Sequence, residues 1–203
     1  EKFLDAGPGF GGSCFQKDIL NLVYLCQYYG LEKVSKYWEQ VLTVNNWQKE
    51  RIASLVVEKL FGTVTNKKIA LFGFSFKANT NDTRESPSIS ISKDLLANGA
   101  NLMINDPQVL PSQIEKELGI KESSAFSDMQ GCWSFCENLN DCVKDADAII
   151  ILTAWDEYRE LNFKEFSKLM RKPSWVFDTR KIISKNSLNG TGIKFWQVGM
   201  GSI

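Results

Sequence analysis

The residues of this chain best suited to chemistry lie near its start, in Gly7-Pro8-Gly9-Phe10-Gly11-Gly12-Ser13-Cys14-Phe15-Gln16-Lys17-Asp18. Four glycines between Gly7 and Gly12 allow backbone angles and close approaches that a Cβ forbids, so a ligand could lie against this loop. Ser13 with Gln16 three positions on has the form of a capping box, which predicts Cys14 in the first turn of a helix. The helix dipole favours a thiolate there. Lys17 at i+3 and Asp18 at i+4 project from the same face, so thiol, cation and carboxylate can converge. A buried cysteine behind a glycine turn, with Lys17 and Asp18 solvated, is the plain alternative. Cys26, set among Leu22, Val23 and Leu25, reads as core. The chain has no histidine. That removes Ser-His, Cys-His and histidine-base mechanisms together and leaves Cys, Lys, Asp, Glu or a cofactor.

A second group follows the run Lys68-Ile69-Ala70-Leu71-Phe72. A dinucleotide-binding turn here would read G-x-G-x-x-G, so that backbone amides could face a pyrophosphate. The turn is Gly73-Phe74-Ser75-Phe76-Lys77 instead, with one glycine, a bulky ring and a cation, and standard dinucleotide binding is not expected of it. Lys77, and Arg84 within Asp82-Thr83-Arg84-Glu85-Ser86, are candidates for holding an anion, against a reading as ordinary solvated charge. Arg180 follows the strand Trp175-Val176-Phe177-Asp178 at the edge where open α/β sheets bind ligands, and is preferred to Lys181. Asp106 sits where a ribose-binding acid commonly lies, but a turn before Pro107 explains it equally well.

Positioning these groups requires helices first and a sheet afterwards. From Phe15 to about Phe61 apolar residues recur at helical spacing, broken at Gly30 into two helices, the second spanning roughly Glu32 to Leu60. So long a helix, carrying Trp38 and Trp47, often packs against a second copy of itself. After a polar link at Thr63–Lys67 the pattern changes to short β-branched runs between helical stretches. Strands are predicted at Lys68–Phe72, Asn101–Asn105, Ala148–Leu152, Trp175–Phe177 and Lys194–Val198, with helices at Ser88–Asn98 and Phe163–Met170. Strand and helix alternate, which predicts an α/β fold with a helical connector (residues 1–64) ahead of a doubly wound parallel sheet (65–203). Gly119–Asn140 is Ser-rich and weakly periodic and reads as an irregular excursion.

Composition narrows the partners. At 203 residues and 43% hydrophobic the chain can bury a real core, and equal totals of 24 basic and 24 acidic residues leave no field for a polyanion such as nucleic acid. No apolar run reaches the ~18 residues of a membrane span, and the opening Glu1-Lys2 is not a signal peptide, so a cytoplasmic protein is expected. Cys132, Cys136 and Cys142 are clustered, but structural zinc takes four ligands and histidine is missing; no metal site is expected.

Taken together, the stretch Gly9 to Asp18, then Phe76-Lys77, Asp82-Thr83-Arg84-Glu85-Ser86, Thr153-Ala154-Trp155-Asp156 and Phe177-Asp178-Thr179-Arg180 resemble the UDP-glucose 6-dehydrogenase family, in the family's order and over nearly the whole chain. The resemblance implies a C-terminal portion: the helical connector that forms a homodimer or higher homo-oligomer, then a Rossmann-like domain for the UDP-sugar, with the NAD-binding domain expected before Glu1. It implies NAD-dependent four-electron oxidation of UDP-glucose to UDP-glucuronate, through a thiohemiacetal and a thioester on Cys14. On the same ground Lys17 would stabilise oxyanions and Asp18 would activate the hydrolytic water. Phe3, Leu4, Phe10, Gly11, Phe76, Lys77 and Arg180 would contact the UDP-sugar, and Arg84 would face NAD. Where Asp5, Ala78 and Asn79 stand the family commonly has lysine, lysine and an acid, so contacts there are expected to shift. Alternatives are a dehydrogenase of UDP-N-acetylhexosamine or GDP-mannose, a non-catalytic nucleotide-sugar-binding module, and a thiol transferase or sensor built on Cys14 alone.

Overall fold

A computed structural model describes residues 5–123 and 131–200. Two helices come first, α1 (Phe15–Tyr28) and α2 (Glu32–Lys59), turning at Gly30, whose φ of 72° suits a residue without Cβ. Six strands follow: β1 (Lys68–Phe72), β2 (Asn101–Asn105), β3 (Cys132–Phe135), β4 (Ala148–Ile151), β5 (Trp175–Asp178) and β6 (Lys194–Gln197). Between them run α3 (Pro87–Ala97), α4 (Pro111–Leu118), α5 (Leu139–Val143) and α6 (Phe163–Leu169). The strands form one sheet in the order β3-β2-β1-β4-β5-β6, every neighbouring pair parallel. Chain order reverses between β1 and β4, which makes that crevice the topological switch point.

Both faces of the sheet are covered, so its central strands are apolar throughout rather than alternating. Ile69, Leu71, Ala148, Ile150 and Phe177 pack with Ile91 and Leu95 of α3, with Ile52 and Val56 of α2, and with Leu60 at its C-terminal cap. Ala70, Phe72, Ile149, Ile151 and Val176 face Cys142, Tyr158, Phe163 and Phe166 on the other side. The C-terminal half of α2 is thereby part of the sheet's own core. Ser86 caps α3 by accepting the Ser88 N–H, with Pro87 opening the helix.

One expectation fails. Gly119–Asn140 is not irregular throughout: β3 lies inside it, pairs with β2, and buries Trp133, whose Nε1 donates to the Ile120 carbonyl at 2.9 Å. A four-residue edge strand is too short for periodicity to register. Among the described residues no helix is long and apolar enough to cross a membrane.

Candidate active site

The glycine loop is shaped by three neighbours, each occupying space a Cβ would need. At Gly9 (φ 124°) a Cβ would lie 2.8 Å from Asn45 Oδ1 and 3.2 Å from Lys49 Cγ. At Gly11 it would overlap the Glu85 carbonyl, and at Gly12 (φ 86°) it would meet the Phe76 ring at 3.0 Å. Hydrogen bonds fix the same approach. The Phe10 N–H donates to Asn45 Oδ1 at 2.8 Å, Asn45 Nδ2 donates to the Phe10 carbonyl at 3.2 Å, and Gln48 Nε2 donates to the Gly7 carbonyl at 3.0 Å. On the far side the Gly12 N–H donates to the Arg84 carbonyl at 2.9 Å. The loop is thus held between α2 and the segment joining β1 to α3.

Cys14 is exposed, whereas Cys26, Cys132, Cys136 and Cys142 are buried. The expected capping box does not form. α1 starts at Phe15, Cys14 itself is the N-cap residue, and no side chain caps the helix. Ser13 Oγ instead lies 3.8 Å from the Cys14 sulfur, because the turn at Gly12 carries the chain into the helix one residue later than the spacing implied. Lys17 and Asp18 are exposed one turn on, and the Asp18 N–H donates to the Cys14 carbonyl at 2.9 Å. Arg84 is the cation that senses this thiol. Its guanidinium grips Asp82 through Nε–Oδ1 and Nη2–Oδ2 bonds of 2.9 and 2.7 Å, and holds the Asp82 carboxyl below the usual carboxylate range. Arg84 in turn is raised, first by Asp82 and in lesser measure by Cys14.

A cleft of about 1110 Å³ opens at the C-terminal ends of β1, β4 and β5, beside the switch point. Gly7, Gly9, Phe10, Lys77, Ala154, Arg180 and Lys181 line one side, and Tyr37, Val41, Asn45 and Gln48 of α2 the other. Asp5, Ala78 and Asn79, where contacts are expected to differ from the family's, also line it. The predicted site residues therefore fall into two groups that share the glycine loop. Phe10, Lys77 and Arg180 belong to the cleft, while Gly11, Cys14, Lys17, Asp18 and Arg84 lie outside its lining. Phe76 joins the groups: its ring packs on Gly12 and its carbonyl accepts from Arg180 Nη2 at 3.4 Å. Phe3 and Leu4 lie outside the described residues.

Arg180 serves the loops before it serves a ligand. Its Nε donates to the Leu152 carbonyl at 2.6 Å, and burial lowers its pKa to about 10, so it remains charged at neutral pH. Lys77, Lys181 and Arg159 are the exposed cations of the cleft, and Arg159 is paired with Asp156 at 3.1 Å. Asp106 is not a ribose acid. It is 3% exposed, and its Oδ2 accepts from the Phe74 N–H, the Ser75 N–H, Ser75 Oγ and Trp155 Nε1, while Oδ1 accepts from the Gln108 and Val109 amides. The carboxylate is consumed in tying the β1 turn to the end of β2.

Asn45, Gln48 and Lys49 were missed from sequence. A signal existed. Asn45, Lys49, Ile52 and Val56 repeat at helical spacing on the buried stripe of α2, and polar residues in an apolar stripe ask for a polar partner.

A doubly wound parallel sheet with a cationic cleft at its switch point, joined to a helical arm whose glycine turn presents a thiol, defines a ligand-binding protein of the Rossmann type. The chain belongs to the UDP-glucose/GDP-mannose dehydrogenase family: residues 70–185 match the model of its UDP binding domain and residues 1–47 that of its central domain. It is 42% identical over 211 residues to UDP-glucose 6-dehydrogenase 4 of Arabidopsis thaliana, covering 98% of this chain and 43% of the relative. Against UDP-glucose 6-dehydrogenase of Caenorhabditis elegans the identity is 43% over 198 residues, covering 98% and 41%. A solved UDP-glucose dehydrogenase from the hyperthermophilic archaeon Pyrobaculum islandicum superposes with a TM-score of 0.70 at 28% identity, covering 94% of this chain and 38% of that one. The chain thus spans less than half the length of the curated relatives it matches.

Proposed function

We propose that this chain supplies the thiol and the nucleotide-sugar wall of an NAD-dependent, cytoplasmic UDP-glucose 6-dehydrogenase that converts UDP-glucose to UDP-glucuronate. The carrying observation is the glycine loop, which presents the exposed Cys14 on one side and walls the cationic cleft on the other. In this reading residues 1–64 are the connector, pairing with a second copy through α2, and residues 65–203 bind the UDP-sugar.

NAD has no cradle at the β1 turn, since Asp106 already takes the Phe74 and Ser75 amides. Bound in turn by the whole protein, two NAD molecules would each take up one of the two hydrides that leave the sugar's C6. Lys77 and Lys181 hold the diphosphate, Phe10, Gly11 and Phe76 border the sugar, and Arg180 keeps the Phe76 carbonyl in place at the rim. Once the alcohol is an aldehyde, the Cys14 sulfur adds to the carbonyl carbon to give a thiohemiacetal, which can lose a second hydride where a bare aldehyde cannot. Lys17 stabilises the oxyanion, and Asp18 takes a proton from the water that cleaves the resulting thioester, freeing carboxylate and thiol. Arg84, beside the thiol, faces the dinucleotide.

Calorimetric titration with UDP-glucose, UDP-glucuronate, UDP-N-acetylglucosamine and GDP-mannose tests the substrate. Binding confined to the UDP-glucose pair and weakened by Lys77→Ala is expected; preference for another sugar nucleotide overturns the assignment.

A further inference from the structure

Lys49 is a buried charge that the proposed chemistry does not use. It is 7% exposed on the core-facing stripe of α2, its stem fills the space beneath Gly9, and among the described residues no hydrogen bond or ion pair engages its ammonium. Burial pulls its pKa below the ordinary lysine value, and the Glu85 carboxylate, nearby but not in contact, offsets part of that cost. Glu85 is unusual in its own right. Its φ of 55° lies in the left-handed region that side chains resist, and its carbonyl closes the space at Gly11. The residue before it, Arg84, receives the Gly12 N–H. Both segments flanking the thiol, Gly9–Gly12 and Arg84–Glu85, therefore converge on one lysine of α2.

The geometry points to Lys49 as a positioning residue: its ammonium draws Glu85, and with it the Arg84–Glu85 turn, onto the glycine loop, and so sets how closely the Arg84 guanidinium approaches the Cys14 thiol. This rests on reading Cys14 as the reactive group. A lysine that merely packs its stem would affect stability alone.

The test uses Cys14, the one exposed cysteine, in the full chain. Its alkylation rate by anionic iodoacetate is divided by that by neutral iodoacetamide, which cancels accessibility and leaves the local charge. Arg84→Gln lowers the ratio about fivefold, the effect expected of one unit charge about 4 Å away in water. Lys49→Met lowers it comparably, Lys49→Arg preserves it, and adding Arg84→Gln to Lys49→Met changes it no further. Glu85→Gln decides by sign and leaves the core untouched, which keeps the test valid should Lys49→Met not fold. Deleting an anion raises the ratio by direct electrostatics, whereas releasing the Arg84 turn lowers it. A ratio unchanged in Lys49→Met, effects of Lys49 and Arg84 that simply multiply, or a rise in Glu85→Gln each overturn the inference. Nucleotide-sugar titration of the same variants is a separate readout, so failure of the substrate assignment is not mistaken for failure of the positioning role.

Discussion

Replacing Asp106 with asparagine removes one oxygen from a carboxylate that accepts six hydrogen bonds while 3% exposed. However the amide turns, its NH2 faces N–H donors: the Gln108 and Val109 amides on one side, or the Phe74 and Ser75 amides on the other. At least two charge-assisted bonds are lost, each worth roughly 1.5–3 kcal/mol, so the expected destabilisation is about 4 kcal/mol. That is a large part of the ~5–15 kcal/mol that holds a domain together. For a chain of this length it corresponds to a drop in Tm of roughly 8–16 °C. Nucleotide-sugar affinity falls with it, because the Phe74–Ser75 amides hold the turn that delivers Phe76 and Lys77. Thermal and urea denaturation of wild type and Asp106→Asn, followed by titration of the folded variant, measure both. A variant as stable as wild type to within about 0.5 kcal/mol that has nevertheless lost affinity would refute the structural role and restore Asp106 as a ligand-binding acid.

Lys77→Ala and Arg180→Met should separate a ligand contact from a strut. The first leaves stability within about 0.5 kcal/mol while weakening nucleotide-sugar binding; the second also costs about 1–3 kcal/mol, since the Leu152 and Phe76 carbonyls lose their donor, and equal melting temperatures would contradict this. Gly11→Ala drives a Cβ into the Glu85 carbonyl and should cost about 1–3 kcal/mol, with Cys14 alkylation changing in the same variant; unaltered alkylation kinetics would mean that the loop contact does not matter. Tyr158, fully buried with its hydroxyl donating to Asn105 Oδ1 at 2.7 Å, has its pKa pushed far up by burial first. The unfolded tyrosine ionises near pH 10 while the folded one keeps its proton, so stability falls as pH rises beyond about 10. Tyr158→Phe should flatten that alkaline limb while costing about 1–3 kcal/mol at neutral pH, both readable from urea titrations between pH 7 and 11.

Much of the sheet was legible because its strands are buried on both faces. Lys68–Phe72 and Ala148–Ile151 are short apolar runs between polar turns, and only the core of a doubly wound sheet needs such runs. β3 was illegible for the converse reason: at the sheet edge, four residues long, it owes its conformation to pairing with β2 rather than to any pattern of its own. In the site, residue type identified Cys14, Lys77 and Arg180 as candidates but not how they are employed. Spacing counted Asp106 as a possible ligand acid because it cannot show that Phe74 and Ser75, some thirty residues earlier, turn their amides toward it. Nor can spacing show that Leu152 and Phe76 occupy the Arg180 guanidinium. Asn45 and Lys49 carry a signal, polar groups on an apolar helical stripe, whose meaning depends on which loop arrives to meet them.

That dependence bears on how the two halves of the site keep their register. α2 runs 28 residues; its last turns, with Ile52 and Val56, are core to the sheet, while Asn45 and Gln48 hold the glycine loop by its backbone. The thiol loop and the cleft are therefore referred to one rigid element rather than to each other through flexible segments, which is what the proposed reaction would require of groups placed to within about half an ångström. The same arrangement explains why the stripe is impure. Leucines at positions 45 and 49 would bury more apolar area, but would leave the Phe10 amide and carbonyl unpaired and Glu85 without a counter-charge. The helix gives up core stability at its middle, at positions 45 and 49, so that an element already anchored by its C-terminal turns can fix where the thiol stands relative to the cleft.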